Sequence, residues 1–322
     1  MTQMQTRIVA TAPVNCVTHT ADQVIENLYV RRQGRTNIVI QDCKGNVTVS
    51  NVVSVGSKPA DPDTDQFGGQ GVYAQNVGGI LTIEDSYIGY SGIAMPDEPA
   101  SAYYTPTEFR HDVYVNDSVG GLIVQRCILG PAANAGAQSR VLKGPSLITA
   151  NMILDTGTAI LAIEGGATVT GNVIYLSHRY FDGSNAAGGS AIKTYWPMLA
   201  ENNIIIAGPN QMAFPGYPNH PAARDFPAAM VDVGGAWQHT DPSWTPPPQY
   251  PNIAEYLSGS GNISPASGWP GAKIAGPTKM PGWATAPRIV NFNFVPILAE
   301  IEAGGSVAAG MAAIKAGLGV AA

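Results

Sequence analysis

The chain has 322 residues and a net charge of −6, and only 12% of its residues are charged whereas 37 are Gly and 25 are Pro. A helical protein needs many Lys, Glu and Arg residues on its exposed faces, so this composition disfavours helices and favours short strands joined by many turns. The apolar fraction of 45% excludes a mostly disordered chain. No basic run is present, so we expect no nucleic-acid partner.

The N-terminal sequence, MTQMQTRIVATAPVNC, contains no apolar stretch typical of a cleavable signal peptide. No later segment is long and apolar enough to span a bilayer, so we expect no membrane insertion. Cys16, Cys43 and Cys127 are odd in number and lack metal-ligand spacing. They predict buried thiols rather than a disulfide framework.

Residues 1–36 carry little pattern, and we expect them to cap one end of the fold. Within them, ADQVIENLYV (residues 21–30) is compatible with a short amphipathic helix or with an early strand. A cap is expected because the open end of a stack of strands exposes unpaired backbone groups and apolar surface.

A repeat begins at Asn37 and is clearest between residues 139 and 177. LITANMILDTG and ATVTGNVIYLS both contain alternating apolar residues, then an Asn, then a second short apolar run. Asn151 and Asn172 are 21 residues apart, a period typical of one coil of a parallel β-solenoid. Asn suits such corners because it tolerates the left-handed conformation and can pair from coil to coil. The same corner recurs at Asn51, Asp85, Arg126, Asn203 and Asn262.

We therefore predict an all-β parallel solenoid of about seven coils over residues 37–265. The spacing between corners varies, which predicts loop insertions at residues 56–71, 93–112, 178–190 and 209–261. Residues 266–322 form a C-terminal extension with an Ala-rich end, which favours a short helix on each side of Gly304–Gly305. We expect this extension to cap the last coil or to contact a neighbouring subunit.

A second column of strands precedes the corner in each coil, as GVYAQ, DVYVN, RVLKG, AILAI and AIKTY. Period-2 alternation points one set of side chains inward. The inward set is Val72, Val113, Val141, Ile160 and Ile192. The outward stripe is Tyr73, Tyr114, Leu142, Leu161 and Lys193, beside a row formed by Gln75, Asn116 and Tyr195. The predicted outer face is shallow, aromatic and polar.

Coils with this recurrent G-N-x-I or x-N-x-I corner resemble the right-handed parallel β-helix (pectate-lyase-like) superfamily, over about residues 37–265. That superfamily includes pectate lyases, other polysaccharide lyases, and bacteriophage tailspikes and virion proteins. The stretch HDVYVNDSVGGLIVQRCILG is most similar to bacterial and phage β-helix repeat proteins of unassigned activity. The resemblance implies a right-handed parallel β-helix, and it specifies the fold better than the chemistry.

The resemblance suggests candidates for glycan binding and for catalysis. Glycan binding would use Tyr73, Tyr114, Tyr195, Trp196 and Arg140. Lyases of this superfamily use a Lys base and an Arg in the next coil, and Lys143 of VLKGPSLITAN lies near the position of that Lys. The next coil offers Glu164 instead of Arg, and a carboxylate there would oppose proton abstraction beside a uronate.

A glycoside hydrolase would instead need two carboxylates about 5–10 Å apart, which adjacent coils can supply. Asp112 and Glu164 are candidate acids, although neither stands in a diagnostic motif. His111 borders the outward stripe and Lys193 lies on it, so both are further catalytic candidates. The available acids are Asp97, Glu98, Glu108, Asp112, Glu164 and Asp182.

Asp61, Asp63 and Asp65 are spaced like the oxygen ligands of a calcium loop. No Glu follows at the closing position, and Pro62 constrains the loop. The default interpretation is a polar loop without metal, with calcium as the one weak cofactor candidate.

The sequence favours a structural, surface-displayed β-helix over an enzyme. We expect a bacteriophage virion component, tailspike-like or capsid-decorating, that is extracellular or on the virion surface. Its expected partners are copies of itself, other virion proteins and a host polysaccharide. The alternative is a polysaccharide lyase or glycoside hydrolase that acts on an extended glycan along the β-helix face.

Overall fold

The computed structural model describes most of the first 176 residues, several strands after them and the C-terminal helices. The described ranges are 6–32, 34–58, 68–98, 110–117, 119–140, 142–144, 146–162, 167–176, 190–194, 198–201, 203–207, 229–233, 257–258 and 292–320.

The strands form three parallel sheets, here called A, B and C, and each contains eight strands. Sheet A contains β1 (Ile8–Val9), β4 (Leu28–Arg31), β7 (Val53–Val55), β10 (Tyr87–Gly89), β13 (Ile128–Leu129), β16 (Met152–Leu154), β19 (Val173–Leu176) and β22 (Ile204–Ala207). Sheet B contains β2 (Val14–Val17), β5 (Thr36–Gln41), β8 (Gln70–Gln75), β11 (Val113–Asn116), β14 (Ala132–Ser139), β17 (Thr156–Ala162), β20 (Ser190–Thr194) and β23 (Ala229–Val233). Sheet C contains β3 (Gln23–Glu26), β6 (Val47–Ser50), β9 (Ile80–Glu84), β12 (Gly121–Gln125), β15 (Ser146–Thr149), β18 (Ala167–Thr170), β21 (Met198–Glu201) and β24 (Leu257–Ser258).

Each strand pairs with the strand three places further along the chain, so the backbone makes one coil for every three strands. The predicted all-β parallel β-helix is confirmed. Inward side chains stack directly, as Ile38 on Val72 and Val72 on Val113, and all three are fully buried. Burial of such a side chain contributes about 1.5–3 kcal/mol, so the interior column holds the coils together.

The solenoid begins earlier than predicted, and its last described strand, β24, lies within the predicted range of residues 37–265. Residues 8–31, which we expected to form a cap, contain β1 to β4: β1 to β3 pair with β4 to β6 of the second coil, and β4 also pairs with β7 of the third. The segment 21–30 therefore forms β3 and β4 rather than a helix. In these strands the side chains of Ile25 and Val30 are buried. Strands β23 and β24 lie inside the predicted insertion 209–261, and the count of about seven coils becomes eight strands in each described sheet.

The corner between sheets C and A contains two neighbouring columns rather than one. The left-handed position, with φ near +50°, is occupied by Asn51, Asp85, Arg126 and Ala150. Asn151, Asn172 and Asn203 lie one residue later and are fully buried. The prediction that Asn51 and Asn151 are equivalent is therefore wrong by one residue: the left-handed column exposes its side chains, whereas the second column turns them inward.

The buried asparagines form a ladder along the interior. The side chain of Asn172 accepts hydrogen bonds from the backbone N–H and the side-chain amide of Asn151, both at 3.0 Å. Its own amide donates to Asn203 Oδ1 and to the carbonyl oxygen of Ile148, both at 2.9 Å. The ladder satisfies buried backbone groups where the chain turns, which a parallel sheet cannot do at its strand ends.

Two helices follow, α1 (Val295–Glu302) and α2 (Val307–Leu318), on either side of Gly304–Gly305 as predicted. Ser306 caps α2, its hydroxyl accepting from the N–H of Ala309, and Gly319 ends the helix in the left-handed conformation. The apolar sides of both helices pack on the outer face of sheet A, where they meet Tyr87, Tyr175 and their neighbours. The buried residues of the two helices are Leu298, Ile301, Val307, Gly310, Met311, Ile314 and Leu318.

The N-terminal coils hold the turn between the helices. The Arg7 guanidinium donates to the carbonyl oxygens of Ile301 (3.1 Å) and Gly305 (3.4 Å), and also to the side chain of Asn51 (3.0 Å). The Tyr29 hydroxyl donates to the Glu302 carboxylate at 3.2 Å. The C-terminal extension therefore covers a side of the solenoid, in contact with its first coils.

Candidate functional site

The outer face of sheet B carries the predicted aromatic stripe. Tyr73 and Tyr114 are directly paired in neighbouring strands, and their ring centroids lie 5.7 Å apart with a tilt of 51°. Tyr73 is half-buried, whereas Tyr114 is only 7% exposed. The two rings form a continuous aromatic surface that spans two coils.

A polar row runs beside these rings. The Gln41 amide donates to Gln75 Oε1 at 3.3 Å, and the Tyr73 hydroxyl donates to the same oxygen at 2.7 Å. Burial raises the pKa of the Tyr73 phenol, and a side-chain hydrogen bond with Asn116 partly opposes the shift. At neutral pH the Tyr73 hydroxyl is therefore protonated and held in place by amides.

The next position in the stripe is Gln138, where we had expected Leu142. Strand β14 pairs with β11, which places Gln138 beside Tyr114 and then beside Leu161 of the following coil. Leu142 instead forms an isolated bridge with Val119 in the corner after the strand. Gln138 is 5% exposed, and its Oε1 atom has no hydrogen-bond partner among the described residues.

His111 lies beneath the stripe and is fully buried. Its ring centroid is 4.8 Å from that of Tyr114, and its Nδ1 accepts from the N–H of Ala135 at 3.3 Å. Burial lowers the pKa of His111 to about 3, and the positive charge of Arg140 adds to the shift. The ring is thus neutral and carries its hydrogen on Nε2, which has no partner among the described residues.

Arg140 follows Gln138 by two residues and lies in the polar row. Its backbone N–H donates to the carbonyl oxygen of Val115, which fixes it beside Asn116. The side chain is half-buried, and its Nε has no hydrogen-bond partner among the residues that the structure describes. His111 Nε2, Gln138 Oε1 and Arg140 Nε are thus buried polar atoms without hydrogen-bond partners among the described residues, and of these three residues Arg140 is the most exposed at the outer face.

Asp112 does not belong to this outer surface. It is fully buried at the corner between sheets A and B, and burial raises its pKa well above the usual range. The Ser91 hydroxyl and the Gly130 N–H approach the carboxyl and partly offset the shift, without hydrogen bonds of good geometry between described residues. Its placement, like that of His111, is unsuited to an acid or base that must touch a glycan on the surface.

Lys143 lies exposed at the corner between sheets B and C. Its backbone N–H donates to Val119, just as those of Lys44, Gly78 and Gly120 donate to the preceding coil. These four residues form one column, in which two lysines are separated by two glycines. An open cleft of about 340 Å³ lies there, lined by Asp42, Cys43, Lys44, Asn76, Gly78 and Lys143.

Several predicted residues lie outside the part of the chain that the structure describes. These are the catalytic candidate Glu164, the acids Glu108 and Asp182, the glycan-binding candidates Tyr195 and Trp196, the corner residue Asn262, the inward-pointing Val141, and the calcium candidates Asp61, Asp63 and Asp65. Lys193 is described for its backbone alone, which pairs with Leu161 and so continues the stripe. Their roles stay predictions.

Among the described residues, no group of three or more His, Cys, Asp or Glu side chains is arranged to hold a metal ion. The helices in the same part of the chain are too short or too polar to cross a membrane. Comparison of the chain with protein-family models, with curated proteins and with solved structures gave no match.

Sequence reasoning missed Gln138 and Lys44. Gln138 belongs to a strand of small residues, AANAGAQS, that lacks apolar alternation. Lys44 precedes Gly45 in a turn and becomes notable only when the coils are stacked in register. Stacked alignment of the turn glycines Gly78 and Gly120 is the signal that could have found it.

Proposed function

We propose that this protein is a structural, surface-displayed β-helix that binds an extended glycan along the outer face of sheet B. The observation that supports it most directly is the aromatic surface of Tyr73 and Tyr114, beside which the half-buried Gln41, Gln75 and Arg140 side chains lie at the outer face. Sugar rings offer apolar faces that pack on aromatic rings, and hydroxyl groups that both donate and accept. Partly exposed amide and guanidinium groups beside the rings can exchange hydrogen bonds with those hydroxyl groups.

Binding is favoured over catalysis by the positions of the acid–base candidates. His111 and Asp112 are fully buried, and burial disfavours the charged form of both: it lowers the pKa of His111 to about 3 and raises the pKa of Asp112 well above its usual range. Lys143 lies at the corner between sheets B and C and not on the outer face of sheet B that carries the aromatic stripe. A polysaccharide lyase or hydrolase is retained as the alternative outcome of the experiment below.

The resemblance to virion proteins of the β-helix type supports a place on a bacteriophage particle, as a tailspike-like or capsid-decorating protein. A solenoid suits that role because every coil adds the same interior contacts, so a long rigid face forms from a short repeat. Copies of the same chain and other virion proteins are the proposed partners.

The test is affinity electrophoresis against a panel of neutral and uronate-containing polysaccharides, with light scattering on the same sample. We expect retardation by at least one polysaccharide and no release of oligosaccharides. Tyr73→Ala should weaken the retardation about tenfold, the size of a hot-spot truncation of 1–2 kcal/mol. Tyr73→Phe should retain most of the binding if ring packing dominates over the hydroxyl.

Leu147→Ala is the matched control, because Leu147 lies on the outer face of sheet C and is also half-buried. Equal loss in this variant would show nonspecific adhesion and contradict the proposal. Release of unsaturated or reducing oligosaccharides would establish the enzyme instead. Arg140→Gln adds a second readout, since loss confined to uronate-containing polysaccharides would show that the ligand is anionic.

A further inference from the structure

Two buried thiols in the first two coils lie in contact. The sulfur atoms of Cys16 and Cys43 are 3.5 Å apart, and the Cys43 thiol also lies 3.4 Å from the carbonyl oxygen of Cys16. Cys16 is 5% exposed and Cys43 is 1% exposed. A disulfide bond of about 2.05 Å therefore requires the two sulfurs to approach by about 1.5 Å.

The two residues belong to consecutive turns of the solenoid. Cys16 lies in β2, the terminal strand of sheet B, and pairs with Ile40 of β5. Cys43 follows β5 at the corner, three residues after that partner. A bond between them would join the end coil to the coil beneath it.

The end coil is the part of the solenoid whose stability such a bond would raise most. Strands β1, β2 and β3 each pair with one neighbour only, among the strands that the structure describes. Ile8, Val9 and Val24 in this coil are more than 60% exposed. Terminal repeats with a single interface open more readily than interior ones.

We propose that Cys16 and Cys43 are a disulfide-forming pair that fastens the first coil to the second under oxidising conditions. The co-reactant is a small-molecule disulfide such as oxidised glutathione. One cysteine thiolate attacks a sulfur of that disulfide, forms a mixed disulfide and releases one thiolate. The second cysteine thiolate then attacks the protein-bound sulfur, the Cys16–Cys43 bond forms, and the second glutathione leaves.

In total, two protein thiols are oxidised to one disulfide, and one glutathione disulfide is reduced to two glutathione thiols. These two thiols carry the protons that the cysteines lose. Burial, together with the neighbouring Cys43, raises the pKa of Cys16 to about 12, so few thiolates exist at neutral pH. The pair is thus a slow modification site that stays reduced in a reducing compartment.

Cys127 provides an internal control. It is fully buried, and its sulfur contacts the carbonyl oxygens of Ile83 (3.5 Å) and Gln125 (3.2 Å). Both Cys43 and Cys127 follow a left-handed residue at a corner, so they differ chiefly in that Cys43 faces a second thiol.

The experiment incubates the folded full-length chain with excess oxidised glutathione and maps its peptides by mass spectrometry without reduction. We expect a Cys16–Cys43 cross-linked peptide, lighter than the reduced pair by two hydrogens, and a free thiol on Cys127. Cys127→Ser should give the same product, whereas Cys16→Ser and Cys43→Ser should give none. Circular dichroism must show that each serine variant is folded.

Amide hydrogen exchange then tests the structural consequence. Oxidation should slow exchange in β1 to β3 at least tenfold and leave β15 to β18 unchanged, and Cys127→Ser should behave like the unsubstituted chain. Failure of the folded chain to form the Cys16–Cys43 bond, or a bond that leaves exchange of the first coil unchanged, would overturn the proposal. Neither result depends on whether a glycan binds.

Discussion

Replacement of Asn172 by alanine tests the interior ladder directly. The Asn172 side chain is fully buried and takes part in four hydrogen bonds, with Asn151, Asn203 and the carbonyl oxygen of Ile148. Each buried hydrogen bond contributes about 1 kcal/mol net, and donors or acceptors left without partners cost about 1–3 kcal/mol each. Alanine leaves the Asn151 N–H and the Ile148 carbonyl exposed to an apolar interior, so we expect a loss of about 3–5 kcal/mol.

Urea unfolding followed by circular dichroism measures this loss as a lower midpoint. The matched control is Asn15→Ala, because the Asn15 side chain is exposed and makes one long contact of 3.4 Å with Pro13. We expect that control to change stability by less than about 0.5 kcal/mol. A folded Asn172→Ala protein with stability within about 1 kcal/mol of the unsubstituted chain would refute the ladder as a source of stability.

Three further substitutions test the helix cover and the buried titratable groups. Leu298→Ala should cost about 2–5 kcal/mol in urea unfolding because it opens a cavity between α1 and sheet A; a loss no larger than that of the exposed Ala299→Ser would contradict this packing. The raised pKa of Asp112 means that its contribution is fully present below about pH 3.8 and is lost as pH rises through the folded value. Asp112→Asn should therefore be more stable than the unsubstituted chain at pH 7 and similar to it near pH 3. The pKa of His111 is lowered to about 3, so its contribution is present above pH 6.5 and is lost as pH falls toward 3. His111→Asn retains an acceptor for the Ala135 N–H. In this variant the urea midpoint should depend less on pH between 6.5 and 3, and an unchanged pH dependence would show that His111 is not buried.

The sequence predicted the coils well where interior positions are large and regular. LITANMILDTG and ATVTGNVIYLS carry full alternation, and their strands pair in the register that the repeat predicts. The sequence pattern placed Asn51 and Asn151 in one column because each follows a strand. In the structure, the backbone of Asn51 is left-handed, whereas the side chain of Asn151 is fully buried. A one-residue offset at a corner leaves the strand pattern unchanged, so periodicity cannot detect it.

The candidate site was harder to predict because β14 hides its own alternation. Its residues Ala132–Ser139 are small or polar, and the ladder to β17 shifts register between Ala132 and Ala135. The neighbouring RVLKG has apolar alternation and was assigned to the stripe instead, although Leu142 and Lys143 lie past the strand. The burial of His111 and Asp112 could not be predicted from the sequence either, because burial of a polar residue depends on which element covers it.

The three outer faces of the solenoid differ in what they can bind. The apolar face of sheet A is already covered, since Leu298, Met311 and the other inward residues of α1 and α2 pack on it. A homo-oligomer cannot use that apolar surface unless the helices leave it, so the predicted oligomer contact must lie elsewhere or on the Ala-rich outer sides of the helices. If so, Leu298→Ala should lower stability without changing the mass of the native species by light scattering.

The outer face of sheet C is a column of partly exposed Thr and aliphatic side chains, in which Thr48 stacks on Thr82 and Ile123 on Leu147. Beside it runs an outward polar row, in which Ser50, Glu84, Gln125 and Thr149 follow one another from coil to coil. Sheet B differs because the Tyr73 and Tyr114 rings lie side by side there, next to the half-buried Gln75 and Arg140 side chains. A sugar ring can contact aromatic rings with its apolar face and polar side chains with its hydroxyl groups, so of the three outer faces sheet B suits the proposed glycan best.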